Sequence, residues 1–351
     1  MTDFFDCHPY FYNWQWGEFE AHKDSRSISG QRESFLATST FAAAIDKPTY
    51  LSEWDMPWPN EYRAESPIYA AAIGMFQGWS GFAIHTYSYT TKLDHSNMLG
   101  KELSPAKIGN VSYRQGIFST WNDPAKFGLF YHAALITRRG DVSPAKTTQM
   151  FHHLSLKNEN PEPAYANLEK TAVVYDSNDF SPTTPPTVDP TVTDVLSDTK
   201  ELYRNWAKRY GYIDSPKTKC AYGMLGKNGT IELDGVNITC ETDFATIAMS
   251  SLDENDITSS ENILLTAVGR AENTGFKTSG DLVVDIGKPP VLIEVIESDI
   301  EIKTHVDGLV VWAISAEGYY IGTVPTEYEK GKLKFKIGTQ SQSMYYLIVK
   351  E

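Results

Sequence analysis

Between residues 220 and 349 the chain is cut into short apolar runs by glycine turns, with no helical stretch between them. The runs are Cys220 to Leu225, Gly229 to Cys240, Thr246 to Leu252, Ile263 to Ala271, Asp281 to Ile286, Leu292 to Val295, Leu309 to Ala316, Leu333 to Ile337 and Met344 to Val349. Turn signals fall at Lys227-Asn228-Gly229, Asp234-Gly235, Asp307-Gly308 and Lys330-Gly331, as expected of hairpins. A succession of short strands without helices predicts an antiparallel β-sandwich. No fixed-period repeat is visible.

The earlier part of the chain reads differently, with strand-like and helical runs alternating. Asp3 to Phe11 reads as a strand, Arg32 to Ile45 as a helix, and Thr49 to Trp54 as a strand. Ser66-Pro67 supplies an N-cap and first-turn signal for a helix through Gln77, with Ile68, Ala71, Ala72, Met75 and Phe76 on its apolar side. Phe82 to Tyr89 follows as a third strand. Asp123-Pro124 opens another helix, which Arg138, Arg139 and Gly140 close. Three βα units in succession predict a parallel sheet with right-handed crossovers. A complete eightfold barrel takes about 250 residues, so the first unit is expected to be a partial (β/α)8 TIM barrel, its last three βα units, or a small open α/β layer. The expected division is 1–146 for this α/β unit and 147–351 for the all-β sandwich, with Ser181 to Pro190 as a proline-rich surface loop.

At 351 residues and 41% apolar content the chain can bury a substantial core. A formal charge of −14 argues against a nucleic-acid partner, which would need a basic face. The three cysteines, Cys7, Cys220 and Cys240, form neither a disulfide framework nor a metal cluster. Cys220 and Cys240 could pair across a hairpin or remain as two buried thiols. No basic, apolar leader opens the sequence and no apolar run reaches membrane-spanning length. As written the chain is expected in the cytoplasm, and secreted if a missing N-terminal segment carries an export signal.

Chemistry is expected early in the chain, where six of eight tryptophans and seven of eight histidines fall before residue 154. The run Pro48 to Trp54 ends in Glu53 beside an indole, as a buried parallel strand would when it delivers a carboxylate to the mouth of a β/α barrel. A carboxylate walled by aromatics suits the breaking of a glycosidic bond.

His8-Pro9-Tyr10, Ser52-Glu53-Trp54 and Gly78-Trp79-Ser80-Gly81-Phe82 resemble the ends of the last three barrel strands in retaining glycoside hydrolases of clan A, the family 5-like group. Asn60 to Glu65 is similar to a loop of bacterial members. Asp214 to Thr218 and Leu264 to Gly275 resemble the β-sandwich attached to the same enzymes. The resemblance implies that Glu53 is the nucleophile and that His8 and Tyr10 are its His-x-Tyr neighbours, Tyr10 donating its hydroxyl to the carboxylate. It also implies an acid/base glutamate following an asparagine on a fourth strand, which this sequence lacks. Asn60-Glu61 has the right letters only seven residues beyond Glu53, in a loop. The chain alone is therefore expected to be inactive, the C-terminal part of an O-glycoside hydrolase acting on a β-linked oligo- or polysaccharide. A non-catalytic carbohydrate-binding or structural module is the alternative.

Other residues have weaker claims. Trp54 and Trp58 could face a pyranose ring, whereas Trp79, between a helix and a strand, is expected to pack. His85 and Tyr87 alternate along the third strand and share a face, lining the cleft if that face points inward. Glu53 could instead pair with Arg63. Glu61 and Glu65 are expected to form a solvated cluster ahead of the second helix. Trp14, Trp16 and Trp121 stand out as loop aromatics. His152-His153 lacks further ligands for a metal, and Asp253 to Asp256 suits a polar turn better than calcium. No metal or cofactor is expected. Open parallel edges would need cover from a partner chain or a second copy.

Overall fold

The computed structural model describes residues 3–12, 22–87, 118–121, 123–153, 163–175 and 189–351. The protein is mostly β with few helices, and its main sheets are antiparallel.

Three short strands, β1 (Phe5–Asp6), β2 (Thr49–Leu51) and β3 (Gly81–Phe82), form a parallel sheet in that order. The partial barrel expected from the sequence is not supported: among the described residues these parallel strands form only this open ladder, with no barrel closure. β1 stops well short of Phe11, and Pro9 within that stretch has no N–H to give. The chain stays alongside, however, and Tyr10 bridges Asp55 in parallel. β3 is likewise brief, but Ala83 still donates to Leu51 O at 2.7 Å and His85 to Trp54 O at 3.0 Å. The expected end of that strand, beyond Tyr87, lies outside the described residues, as do Trp14, Trp16 and most of the loop Ser181 to Pro190.

The helix expected over Arg32 to Ile45 is only α1 (Ala37–Thr40). Thr40 turns its hydroxyl back onto Ala37 O at 2.8 Å, the kind of local bond that competes with helix propagation. Beyond it, Ile45 donates to Val173 O and Val173 to Ala43 O, drawing the chain into strand pairing. That contact belongs to the parallel pair β4 (Thr148–His152) and β5 (Lys170–Val174). These two strands thus join the α/β part of the molecule although they fall in the 147–351 segment.

The next helix, α2 (Ser66–Phe76), begins with Pro67 in its first turn. It ends with Gly78 at φ 71°, Trp79 N–H on Gly74 O and Gly78 N–H on Met75 O, a Schellman cap. Every residue of α2 but Met75 is buried, as befits a helix covered on all sides. Its neighbour α3 (Phe130–Leu135) follows a 3₁₀ turn and runs into a π-turn that closes at Gly140, φ 72°. No helix among the described residues is long and apolar enough to cross a membrane.

The remaining strands are β6 (Asp194–Leu196), β7 (Leu202–Asn205), β8 (Tyr210–Asp214), β9 (Thr218–Gly223), β10 (Thr230–Leu233), β11 (Val236–Cys240), β12 (Ala245–Ser251) and β13 (Asn262–Val268). They continue as β14 (Ala271–Thr274), β15 (Lys277–Ser279), β16 (Leu282–Asp285), β17 (Lys288–Ile293) and β18 (Ser298–Lys303). The last are β19 (Leu309–Ile314), β20 (Tyr320–Val324), β21 (Thr326–Glu329), β22 (Lys332–Ile337) and β23 (Tyr345–Lys350). A nine-stranded sheet, ordered β20-β19-β23-β13-β12-β9-β8-β7-β6, packs on a five-stranded one, β10-β11-β18-β22-β21. The hairpin turns fall where glycine allows them. Lys330 and Gly331 both take positive φ, 54° and 74°, as a type I′ turn between Glu329 and Lys332 requires.

Two expected strands, Asp281 to Ile286 and Leu292 to Val295, are not sandwich strands. They build an arm in which β14 pairs with β17 and β15 with β16. The arm leaves the sandwich and reaches the α/β part, where His22 bridges Leu282 and Lys23 donates to Asp281 O.

The centre of the nine-stranded sheet is covered on both faces. Along β12 every residue is buried. Ala245, Ile247 and Met249 join the core shared with the five-stranded sheet, while Ala248 joins the core under the helices. On the helix side His132 sits between Ser250 Oγ at 2.8 Å and Thr266 Oγ1 at 2.9 Å. Burial pushes its pKa down to about 3. Arg139 grips Asp141 with two hydrogen bonds, and Asp141 accepts from Thr218 on β9. Polar pairs therefore lock helix to sheet inside an otherwise apolar seam. Cys220 and Cys240 are both buried and free.

Candidate active site

The parallel register places the ends of β1 and β2 side by side, and this brings Tyr10 and Glu53 together. The Tyr10 hydroxyl donates to Glu53 Oε2. His8 presents Nδ1 at 3.6 Å from the same oxygen. Its Nε2 lies 2.7 Å from Ser52 Oγ, which in turn donates to Asp6 Oδ2 at 2.7 Å. Ser52 thus spends its proton on Asp6, so His8 Nε2 is the donor to Ser52. Nδ1, facing Glu53, then carries a proton only in the imidazolium. Burial pulls the Asp6 pKa upward, but hydrogen bonds from the Ser52 backbone and hydroxyl outweigh it and lower the value. The Glu53 side chain is 34% exposed and that of His8 48%. This is a carboxylate oriented by a phenol and open to solvent.

An aromatic wall runs from this pair. Tyr10 meets His85 edge-on at 6.4 Å and Phe118 at 5.5 Å, and Tyr12 stands 5.8 Å away. Phe118 is buried with Tyr10, Tyr12 and Trp58 packed around it. Trp58 continues the wall to Phe276 on the arm, at 5.3 Å.

Beneath the wall lies a buried charge network. Lys126 Nζ donates to both oxygens of Asp55, at 2.8 and 3.1 Å, and both side chains are fully buried. Arg63 donates to Asp123 at 2.8 Å, to Asn60 O at 3.0 Å and to Ala271 O at 2.7 Å. Burial raises the Asp55 pKa to about 6 despite Lys126. Asp123 is also buried, but the Arg63 and Lys126 cations lower its pKa. The network ties the segment after Glu53 to the start of the α3 turn and to the base of the arm.

Several sequence expectations need correction. Trp54 is 1% exposed and packs on Phe82 and Phe130. It is a core residue and cannot stack on a ligand. Arg63 serves Asp123 and the arm, not Glu53. Glu61 and Glu65 are no solvated cluster. Glu61 pairs with Lys23 and Arg270, and Glu65 is fully buried against Ser29. His85 packs on Tyr10 and Phe118, and Trp58 on Phe118 and Phe276; Tyr87 is 53% exposed, and Trp79 packs on Phe82. The polar turn at Asp253 forms with its carboxylate accepting from Asn255 and Glu261 N–H. Among the described residues no group of three or more His, Cys, Asp or Glu side chains could hold a metal.

The sequence reading passed over Phe118, the Asp55–Lys126 pair, and Glu272 and Phe276 of the arm. Asp55 and Lys126 are 71 residues apart, and nothing in either local pattern announces a partner. A charged residue directly after the apolar run ending at Trp54 was the one usable signal. In comparison with known proteins, the chain matches no family model, no curated protein and no solved structure.

Proposed function

We propose that this cleft binds a β-linked glycan and that Glu53 is the nucleophile of a retaining glycoside hydrolysis. The reading rests on one observation above the others: Tyr10 donates to Glu53 at the adjoining ends of two parallel strands, with the carboxylate open to solvent and aromatic rings packed beside the phenol. In the reaction Glu53 would attack the anomeric carbon as the glycosidic C–O bond breaks, giving a glycosyl ester that water then opens. Tyr10 would hold the attacking carboxylate, and His8, with its Nδ1 directed at the same oxygen, would border the sugar.

Retaining chemistry needs a second carboxyl about 5 to 5.5 Å away to protonate the leaving oxygen. We assign that acid to a partner chain. A glycan-binding module without turnover is the second reading, for which a solvent-open carboxylate beside aromatic rings suffices.

A leaving group that needs no protonation bypasses the acid. Incubation with 2,4-dinitrophenyl 2-deoxy-2-fluoro-β-glycosides of the gluco, galacto, manno and xylo series should add one fluoroglycosyl mass to the Glu53 peptide. Glu53→Gln should take up none. Labelling of a different carboxyl, or none across the series in folded protein, would refute the nucleophile.

A further inference from the structure

The sandwich contributes more to this cleft than support. We propose that the arm from β14 to β17 forms a subsite for sugar units beyond the one at Glu53, with Trp58 and Phe276 as its apolar wall and Glu272 as its polar contact. This inference rests on the glycan reading above and extends it to chain-length specificity.

Three observations meet at this place. From Tyr10 the ring contacts run over the buried Phe118 to Trp58 and on to Phe276, the last two rings being partly exposed. A ring wall offers a pyranose its apolar face, and an extended wall suits more than one ring. Glu272, on β14, keeps both carboxylate oxygens out of solvent, with the Trp58 side chain and the Arg63 guanidinium as its neighbours. A carboxylate has about four lone-pair sites, so these neighbours leave it room to accept from a ligand hydroxyl. Arg63 Nη1 stands 4.0 Å from Glu272 Oε1, too long for a direct bond, and Arg63 is already committed to Asp123, Asn60 O and Ala271 O.

The electrostatics fit a group that exchanges hydrogen bonds with hydroxyls. Burial raises the Glu272 pKa to about 7, although Arg63, Lys23 and the Trp58 side chain all favour the anion. Near neutrality such a carboxyl both donates and accepts, the pattern a sugar hydroxyl presents.

The arm is also held where a subsite wall must stand. Its base is fixed by Arg63 on Ala271 O and by Arg270, which pairs with Glu61 and Glu294. Its outer part is fixed by the His22–Leu282 bridge and by Lys23 N–H on Asp281 O. Anchors at both ends make it a preformed wall.

The test compares ligands of different length. Calorimetric titration of Glu53→Gln protein with tetrasaccharides and monosaccharides of the β-gluco, β-manno and β-xylo series should show the tetrasaccharide of one series binding at least about tenfold tighter. Added to the Glu53→Gln background, Phe276→Ala and, separately, Glu272→Ala should each lower that tetrasaccharide affinity about tenfold, the equivalent of 1.4 kcal/mol, and so shrink the length preference. Thermal melts report whether Phe276→Ala stays folded, and Glu272→Ala supplies the second, independent variant. Equal affinity for short and long ligands, no binding at all, or a preference untouched in both folded variants would overturn the subsite. Fluoroglycoside labelling of Glu53 by a monosaccharide reagent is independent of this outcome, so the nucleophile and the subsite can fail separately.

Discussion

Glu65 stands at the N-terminus of α2 with no exposure to water, accepting hydrogen bonds from the Ser29 hydroxyl at 2.5 Å and the Ser29 N–H at 3.2 Å. The helix dipole and these donors favour the anion. Burial outweighs them and lifts the pKa from its ordinary 4.5 to about 7. In the unfolded chain the carboxyl ionises freely above 4.5, whereas in the fold it holds its proton to near neutrality. The folded state therefore binds more protons in that window, and stability falls as pH rises. The contribution is fully present below about 4.5 and lost by the time pH passes 7. At about 1.4 kcal/mol for each pH unit between the two values, ionising Glu65 in place costs about 3 kcal/mol. Glu65→Gln keeps the shape and can both accept from and donate to Ser29, but it cannot ionise. Urea unfolding of both proteins at pH 5, 6, 7 and 8 should show the variant gaining about 2–3 kcal/mol on the wild type across the series, part of the effect being already present at pH 5. Asp55 and Glu272, also raised, to about 6 and about 7, titrate in both proteins and cancel in the difference. A stability difference that does not change with pH would refute the argument.

Lys126→Met strands the Asp55 carboxylate in the interior and should cost about 3–5 kcal/mol, with Asp55→Asn in the same chain recovering part of it. Denaturant titration checks both, and an unchanged midpoint for the single variant would contradict the pairing. Trp54→Ala should lose about 3–5 kcal/mol as a core cavity, whereas Trp58→Ala should fall mainly in oligosaccharide affinity, as melts and calorimetry on the two proteins would distinguish. Tyr10→Phe removes a hydrogen bond to a charged group, worth about 1.5–3 kcal/mol, and should slow fluoroglycoside labelling of Glu53 by roughly tenfold to a hundredfold. His132, ordinarily 6.5 and lowered by burial to about 3, supports stability above pH 6.5 that is lost as pH falls toward 3. His132→Leu should flatten that acid limb while costing about 1–3 kcal/mol at pH 7 for the hydroxyls it abandons, both measurable in the same pH-resolved melts.

Much of the fold was legible where a local pattern had a local cause. The glycine turns at Asp234-Gly235 and Lys330-Gly331 sit between paired strands, and α2 starts at Ser66-Pro67 and caps at Gly78 as its residues require. The pairing of Tyr10 with Glu53 was expected from resemblance and is present. The arm was misread as sandwich because alternating apolar residues such as Leu282 and Val284 fit a half-buried strand, yet both remain exposed. Trp54 was misread because a tryptophan beside a cleft acid and a tryptophan beneath it look alike in one dimension. Alternation along a strand assigns two neighbours to opposite faces without saying which face is open.

The chain by itself determined its short, turn-bounded strands, the extent of α2, the acidic surface and the placing of an acid at the end of an apolar run. Those follow from backbone sterics, periodicity and composition, which act over a few residues. Only the tertiary structure decided that both faces of the nine-stranded sheet are covered at its centre, that Lys126 neutralises Asp55 across 71 residues, and that an arm of the sandwich carries Glu272 to Arg63 and Phe276 to Trp58. Burial and Coulomb interactions depend on distance in space, and distance along the chain does not encode them.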